Sequence, residues 1–275
     1  TKVVSDQMAG FLSTRAFLGT DLVSNPDSLE IENVFPFVQE SLVGTRGIVY
    51  GVNRRVSNLV FLDRFQVGFG PQHSVVLGNN GTGKTYFTKT EAIRYAYKSH
   101  VNVLFVDLFG QYERFAEAFK TPFPVIDMSV EKSQGPFFVQ PTKVEIYSFS
   151  KITSPDAKIA AVNAFLETLV MAVSDSTLQE RCLVVFNELS AGYSNETTLK
   201  RIAELMDLHK NSIAVSLVTD NFSYLADSVL GNEIIMNAGL RFIFREESLH
   251  EAKRISEYFG IVDTSILQEQ TIGEY

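Results

Sequence analysis

Apolar and polar positions along this chain switch repeatedly between a period near two and a period near 3.6, and the switches mark its elements. Residues 47–53 and 59–63 are short apolar runs joined by the polar stretch 54–58, the pattern of a β-hairpin. The run 73–77 then reads as a short buried strand and 85–98 as a helix. Further strands are expected at 101–107, 123–127, 143–149, 183–186, 213–219 and 240–244. Helical patterns fall at 111–120, 156–173, 196–210 and 247–259. Strands that are apolar almost throughout and alternate with helices are covered on both faces. The alternation therefore predicts an α/β fold with a mainly parallel, twisted sheet flanked by helices and preceded by a small β-hairpin element. Residues 1–36 mix polar turns with short apolar stretches, carry the turn signal Asn25-Pro26-Asp27, and do not read as a complete domain. No internal repeat or low-complexity tract is evident.

Composition narrows the picture. With 275 residues, 45% of them hydrophobic, the chain suffices for one large α/β domain with at most a small appendage. The longest uninterrupted apolar runs, such as 183–186, fall far short of the ~20 residues of a membrane span, and no span is expected. Nor does the start carry the basic and apolar regions of a signal peptide. A single cysteine, Cys182, opens an apolar strand; it allows no intrachain disulfide, fits a reducing compartment, and reads as a small buried hydrophobe. His73, His100, His209 and His250 lack metal-ligand spacing, so no zinc site is assigned. A net charge of −8 argues against tight nonspecific nucleic-acid binding, although a local basic lining stays open.

One segment carries chemistry outright. Gly78-Asn79-Asn80-Gly81-Thr82-Gly83-Lys84-Thr85 lies between the strand and the helix just described, and has the spacing of a phosphate-binding loop. Glycines let backbone N–H groups turn inward onto phosphate oxygens, and the helix N-terminus adds partial positive charge. Lys84 is suited to reach the β and γ phosphates, and the Thr85 hydroxyl to ligate Mg²⁺. ATP and Mg²⁺ are thus the expected ligands, held by Gly78 to Thr85 and the adjoining Tyr86. The plainer alternative is a glycine-rich turn. A second segment, 183–188, is an apolar strand ending in Asn187-Glu188, where P-loop ATPases keep an acidic pair. Asn187 can accept a hydrogen bond from a magnesium-bound water but lacks a charge. Glu188 is the candidate general base, or else a surface carboxylate capping a strand end. Asp107 suits either a second magnesium shell or the cap of the next helix. Lys89, Arg94, Arg201 and Lys210 suit a pore or subunit interface as well as a solvated face, and Tyr86, Phe87 and Tyr97 suit core packing better than an adenine clamp.

Several ordered motifs resemble one family. They are Phe35-Pro36-Phe37, the run 47–53, Asn58-Leu59, the P-loop with Lys89-Thr90-Glu91 after it, and Val106-Asp107 leading to Tyr112. The likeness continues through 143–149, the Asn187-Glu188 strand, Lys210 before 213–219, the run 252–260, and Gly273-Glu274. This order is similar to the conjugation ATPases of type IV secretion systems. They form the TraC/TraE-like branch of the HerA/FtsK superfamily, and the versions carried by Gram-positive integrative conjugative elements are the nearest in pattern.

The resemblance implies a RecA-like P-loop ATPase at 46–275 and, at 1–45, the tail of a preceding N-terminal domain. The family's all-helical insert would fall near 129–141, where this chain is too short to hold it. Also implied are a cytoplasmic homo-hexamer at the cytoplasmic face of the cell membrane, other subunits of a secretion channel as partners, and peripheral contact with the membrane complex. An isolated domain could be monomeric, and DNA is a weakly supported partner. Asn187 departs from the family's pattern, as do Asp220 in place of a γ-phosphate-sensing glutamine, Asp207 and His209 in place of arginines, and Gln111 in place of a glutamate. Nucleotide binding is therefore expected, with hydrolysis slow or lost. The alternatives are a hydrolysis-deficient structural subunit of the same machine and a DNA-translocating motor of the HerA/FtsK type.

Overall fold

The computed structural model describes residues 47–53, 59–66, 72–99, 101–118, 123–128, 143–175, 181–189, 194–208 and 213–275. The expected domain tail at 1–45, the insert position at 129–141, His100, His209 and Lys210 lie outside the described residues. Among the described residues nine strands follow in chain order: β1 Ile48–Val52, β2 Leu59–Leu62, β3 Ser74–Leu77, β4 Asn102–Asp107, β5 Val125–Asp127, β6 Val144–Ser148, β7 Cys182–Phe186, β8 Ile213–Thr219 and β9 Leu240–Ile243. The helices are α1 Lys84–Lys98, α2 Glu113–Glu117, α3 Pro155–Ser174, α4 Glu196–Asp207, α5 Phe222–Ala226, α6 Val229–Asn237, α7 Leu249–Phe259 and α8 Ser265–Glu269.

Strands β3 to β9 form one seven-stranded sheet in the order β5-β6-β4-β7-β8-β3-β9, with every pairing parallel. Strands β1 and β2 pair antiparallel in a separate hairpin with a register shift between Val49 and Gly51. Because side chains alternate across a strand, the sheet feeds two cores. Val75, Leu77, Leu104, Val106, Val184 and Leu217 face a layer built from α3 to α8. Val76, Val103, Phe105, Leu183, Val185 and Val218 face α1 and the hairpin. The expected parallel sheet and preceding hairpin are both present.

Helix boundaries follow local chemistry. Ser154 caps α3 through Ala157 N–H, with Pro155 at the first helical position, where its missing N–H costs nothing. Asn195 and Thr198 form a capping box on α4, and Gly260 ends α7 in a left-handed conformation at φ 69°. The helix expected at 111–120 starts only at Glu113, because Gln111 and Tyr112 are held in a turn by Asp107. The pattern missed α5, α6 and α8. Strand β8 leads straight into α5 and α6, which meet tightly at Gly231; a Cβ there would lie 2.2 Å from the Leu225 carbonyl oxygen. Helix α3 is apolar and long enough to cross a membrane by composition, a property the short apolar runs did not reveal. Its Ala161, Phe165, Leu166 and Leu169 are buried in the core instead.

A charged knot joins hairpin, helix and sheet. Arg64, fully buried after β2, donates from Nη1 to Glu91 Oε1 of α1 (2.8 Å) and Ser216 Oγ of β8 (2.7 Å), from Nη2 to Val215 O (2.9 Å), and from Nε to Gln72 O (2.6 Å). Tyr50 of the hairpin also donates to Glu91 Oε1 (2.5 Å). Burial and the neighbouring Glu91 carboxylate push the Tyr50 phenol well above its usual range, so it remains a donor.

Candidate functional site

In a parallel sheet the carboxyl ends of all strands share one edge, and loops leaving that edge meet there. The glycine-rich loop leaves β3 at Gly78, whose φ of +136° suits only glycine and whose added Cβ would lie 2.7 Å from Phe244 Cβ. Asn79 N–H donates to Arg245 O (3.0 Å) and Thr82 Oγ1 to Asn79 O (2.7 Å), so the loop is tied to the end of β9 and to itself. Lys84 Nζ donates to the carbonyls of Gly78 (2.5 Å) and Asn79 (2.8 Å), which places its ammonium inside the loop. Burial lowers the Lys84 pKa, and the charges of Asp220, Glu188 and Glu246 partly oppose that.

A cleft of about 530 Å³ opens over this loop, and its lining brings together Lys84, Thr85, Tyr86, Gln111, Asn187 and Glu188. Asn187 and Glu188 follow β7 directly. Glu188 has φ 59°, a left-handed conformation that costs a residue with a Cβ about 1–2 kcal/mol. The bend is held from both sides: Leu189 N–H donates to Val218 O (3.0 Å) and Thr219 Oγ1 to Leu189 O (2.8 Å). Expected site residues from two distant segments thus converge on one cleft.

Gln111, read from sequence as a departure, lies at its centre. Its Oε1 accepts from Asn187 Nδ2 (3.0 Å) and from the Thr85 hydroxyl (3.4 Å), and its Nε2 donates to Glu188 Oε1. Asn187 Oδ1 is buried without a hydrogen-bond partner. Asp107 holds the turn ahead of α2 and does not cap the helix itself. Its Oδ1 accepts the N–H groups of Phe109, Gly110 and Gln111 (3.2, 2.9 and 3.1 Å) and its Oδ2 that of Tyr112 (2.8 Å). A carboxylate holding four backbone donors is committed to shaping the turn. Lys89 Nζ donates to Gln111 O (2.9 Å) and steadies the same turn.

Asp220 sits beside the loop, accepting from Asn80 Nδ2 (3.1 Å). Glu246, which sequence reasoning missed, is buried past β9 and accepts from Ser248 N–H (3.0 Å); burial raises its carboxyl pKa, while that bond and Lys84 act the other way. An acid just after an apolar strand was its only signal. Asp207 lies at the far end of α4, where Asn237 Nδ2 donates to it (3.4 Å). Arg201 pairs with Glu167 (3.2 Å) and Glu204 (3.0 Å), while Arg94 donates to Val49 O of the hairpin.

The expected core packing of the α1 aromatics needs correction. Phe87 is buried against Phe242, Phe244 and Tyr275, but Tyr86 and Tyr97 are 77% and 62% exposed. The buried stripe of α1 runs through Lys84, Phe87, Thr88, Glu91, Ala92, Tyr95 and Ala96, and at 3.6 residues per turn it leaves both tyrosines outside. Tyr86 borders a second recess of about 200 Å³ between the hairpin and the segment around Gly273, whose N–H donates to Thr82 O (3.0 Å). Cys182 is buried, and burial pushes its thiol up, as a small interior hydrophobe requires. Among the described residues no cluster of three or more His, Cys, Asp or Glu side chains could hold a metal.

A seven-stranded parallel sheet flanked by helices, with a glycine-rich loop joining a strand to α1, is the RecA-like P-loop ATPase fold. Among solved structures the chain is similar to VirB4 of Thermoanaerobacter pseudethanolicus, with a TM-score of 0.68 at 12% identity over 84% of this chain and 93% of that one. It is also similar to the genome packaging NTPase B204 of Sulfolobus turreted icosahedral virus 2 in complex with AMPPCP (TM-score 0.49, 15% identity, 73% and 88% covered). A third likeness is to the pCW3 conjugation coupling protein TcpA with ATPgS (TM-score 0.48, 14% identity, 85% and 63% covered). At these identities the likeness is one of fold. No family model and no curated protein matches the sequence.

Proposed function

We propose that this chain is the ATP-binding motor domain of a conjugation-type type IV secretion system, hydrolysing ATP to energise channel or pilus assembly and the export of DNA or protein. The observation that carries the reading is the meeting of Lys84, Thr85, Asn187 and Glu188 around one cleft, at the carboxyl edge of a sheet that shares its fold with VirB4. In this reading the N–H groups of 80–86 cradle the phosphates while that of Asn79 stays tied to Arg245 O, and Lys84 exchanges its carbonyl partners for β and γ phosphate oxygens. Glu188 accepts the proton of the attacking water.

The residues present suit Mg²⁺. Asn187 Oδ1, buried without a partner, can accept from a metal-bound water, and Thr85 carries the hydroxyl oxygen for direct contact. Magnesium, when bound, supplies the positive charge that offsets the transferring phosphoryl group. The resemblance further supports a homo-hexamer joined to other channel subunits at the cytoplasmic face of the cell membrane.

A second reading, a hydrolysis-deficient nucleotide-binding subunit of the same machine, is favoured by the amide at Asn187 and by the carboxylate of Asp220 against Asn80. Among the described residues Lys84 is the one cation lining the cleft. For scale, a supplied arginine finger is worth roughly 10³ to 10⁵ in rate. A DNA-translocating motor is disfavoured by the net charge of −8. ATP binding and steady-state phosphate release, with Lys84→Ala as blank and Asn187→Asp as restoration, separate these readings. Turnover lost in Lys84→Ala marks a motor. Binding without turnover marks the structural role, and no binding by the unaltered chain sinks both.

A further inference from the structure

We infer that Gln111 is a positioning residue which aims the Thr85 hydroxyl at a magnesium ion and so does the work that Asn187, lacking a carboxylate, leaves undone. The inference rests on the nucleotide reading above. It starts from hydrogen-bond polarity. Glu188, when ionised, only accepts, so Gln111 must turn Nε2 toward it and Oε1 away. That carbonyl oxygen then faces Asn187, which must present Nδ2 as the donor (3.0 Å). The same oxygen lies 3.4 Å from Thr85 Oγ1, whose proton has an acceptor there.

A hydroxyl has one proton and two lone pairs. With the proton turned to Gln111, the lone pairs of Thr85 turn toward the cleft, where a hard cation takes oxygen ligands. The chain of orientation also ends usefully, because it leaves the buried Asn187 Oδ1 without a hydrogen-bond partner. One amide, itself turned by Glu188, therefore sets the direction of two side chains, Asn187 and Thr85. Gln111 itself is held firmly: Asp107 accepts its N–H (3.1 Å), Lys89 donates to its carbonyl (2.9 Å), and Tyr112 beside it is buried with its hydroxyl 3.0 Å from that of Thr88.

The test compares mant-ATP affinity in EDTA with affinity in excess Mg²⁺, for the unaltered chain, Gln111→Met and Gln111→Glu, each first shown to melt cooperatively. Methionine matches the length of glutamine without an oxygen, whereas glutamate keeps the acceptor. The expected result is that Gln111→Met loses about 10–100-fold of the Mg²⁺ enhancement, the usual cost of removing a group that orients a metal ligand. Its affinity in EDTA should stay as it was, and Gln111→Glu should retain the enhancement. If Gln111→Met keeps the full enhancement, or weakens equally in EDTA, the inference is overturned. It is also overturned, with the nucleotide reading intact, if the unaltered chain binds mant-ATP equally well with and without Mg²⁺. Absence of all mant-ATP binding by the unaltered chain instead overturns the nucleotide reading on which it rests.

Discussion

Helix α1 carries two polar clusters, and they are built to opposite rules. Around Glu91, in the middle of the helix, Arg64, Tyr50 and Ser216 close on one another with hydrogen bonds of 2.5–3.2 Å, all of them buried. Around Thr85, at its first turn, the threonine hydroxyl lies 3.4 Å from its acceptor on Gln111, Asn187 Oδ1 has no partner, and Glu188 sits in a left-handed conformation. The first cluster offsets the desolvation of a buried ion pair by satisfying its members, which is what a purely structural network must do. The second keeps strain and an unmet acceptor in a cleft that opens to solvent, and such features persist where the surroundings hold them for a function. The contrast separates a fastening from a working site, although both hang on the same helix.

That contrast can be broken most severely at the fastening. Arg64→Met should cost about 3–5 kcal/mol of stability in urea titration, because it leaves Glu91 buried and unpaired, and adding Glu91→Leu should recover part of the loss. A change under 1 kcal/mol would show that the knot is not what holds hairpin to helix. Next comes Asp107→Asn, which replaces an acceptor of four N–H groups by an amide with one oxygen. It should cost about 1–3 kcal/mol by the same titration and weaken the Mg²⁺ enhancement through Gln111, touching both sides of the comparison. Lys84→Ala belongs to the working site alone: nucleotide affinity should fall by about 10–100-fold in calorimetry, while the urea midpoint moves little.

The smallest effect is expected at Glu246. Burial raises its folded-state pKa, so its contribution is fully present below the unfolded pKa and is lost as the pH rises through the folded value. Glu246→Gln should therefore melt with the unaltered chain at low pH and above it near neutrality. Equal melting at both pH values would remove Glu246 from the account of the site.

Much of the architecture was readable beforehand because its causes are local. Near-continuous apolar strands such as 213–219 announce double-sided burial, and the spacing of Gly78, Gly83 and Lys84 announces a loop between strand and helix. What could not be read depends on segments meeting in space. Gln111 looked like a lost acid until β4, β7 and α1 brought its amide among Thr85, Asn187 and Glu188. Arg64 drew no attention because nothing in the run 59–66 says that Glu91 and Ser216 will surround it. Tyr86 and Tyr97 depart from the inward face expected of them for a simpler reason: the 3.6-residue phase that Phe87 and Tyr95 set leaves both tyrosines outside.

The place of β3 in the sheet has a consequence in time. Its partners are β8 and β9, and Leu77 pairs with Ile243, about 166 positions further along the chain. At ribosomal speeds of about 5–20 residues per second, a nascent β3 waits on the order of 10–30 s before its second neighbour has been made. Until β8 has been made the apolar stretch Val75-Val76-Leu77 has neither edge covered, and until β9 follows only one of them can be. The loop that follows β3 acquires its tie to Arg245 only when the sheet closes, so this site is among the last parts of the molecule to come into being during synthesis.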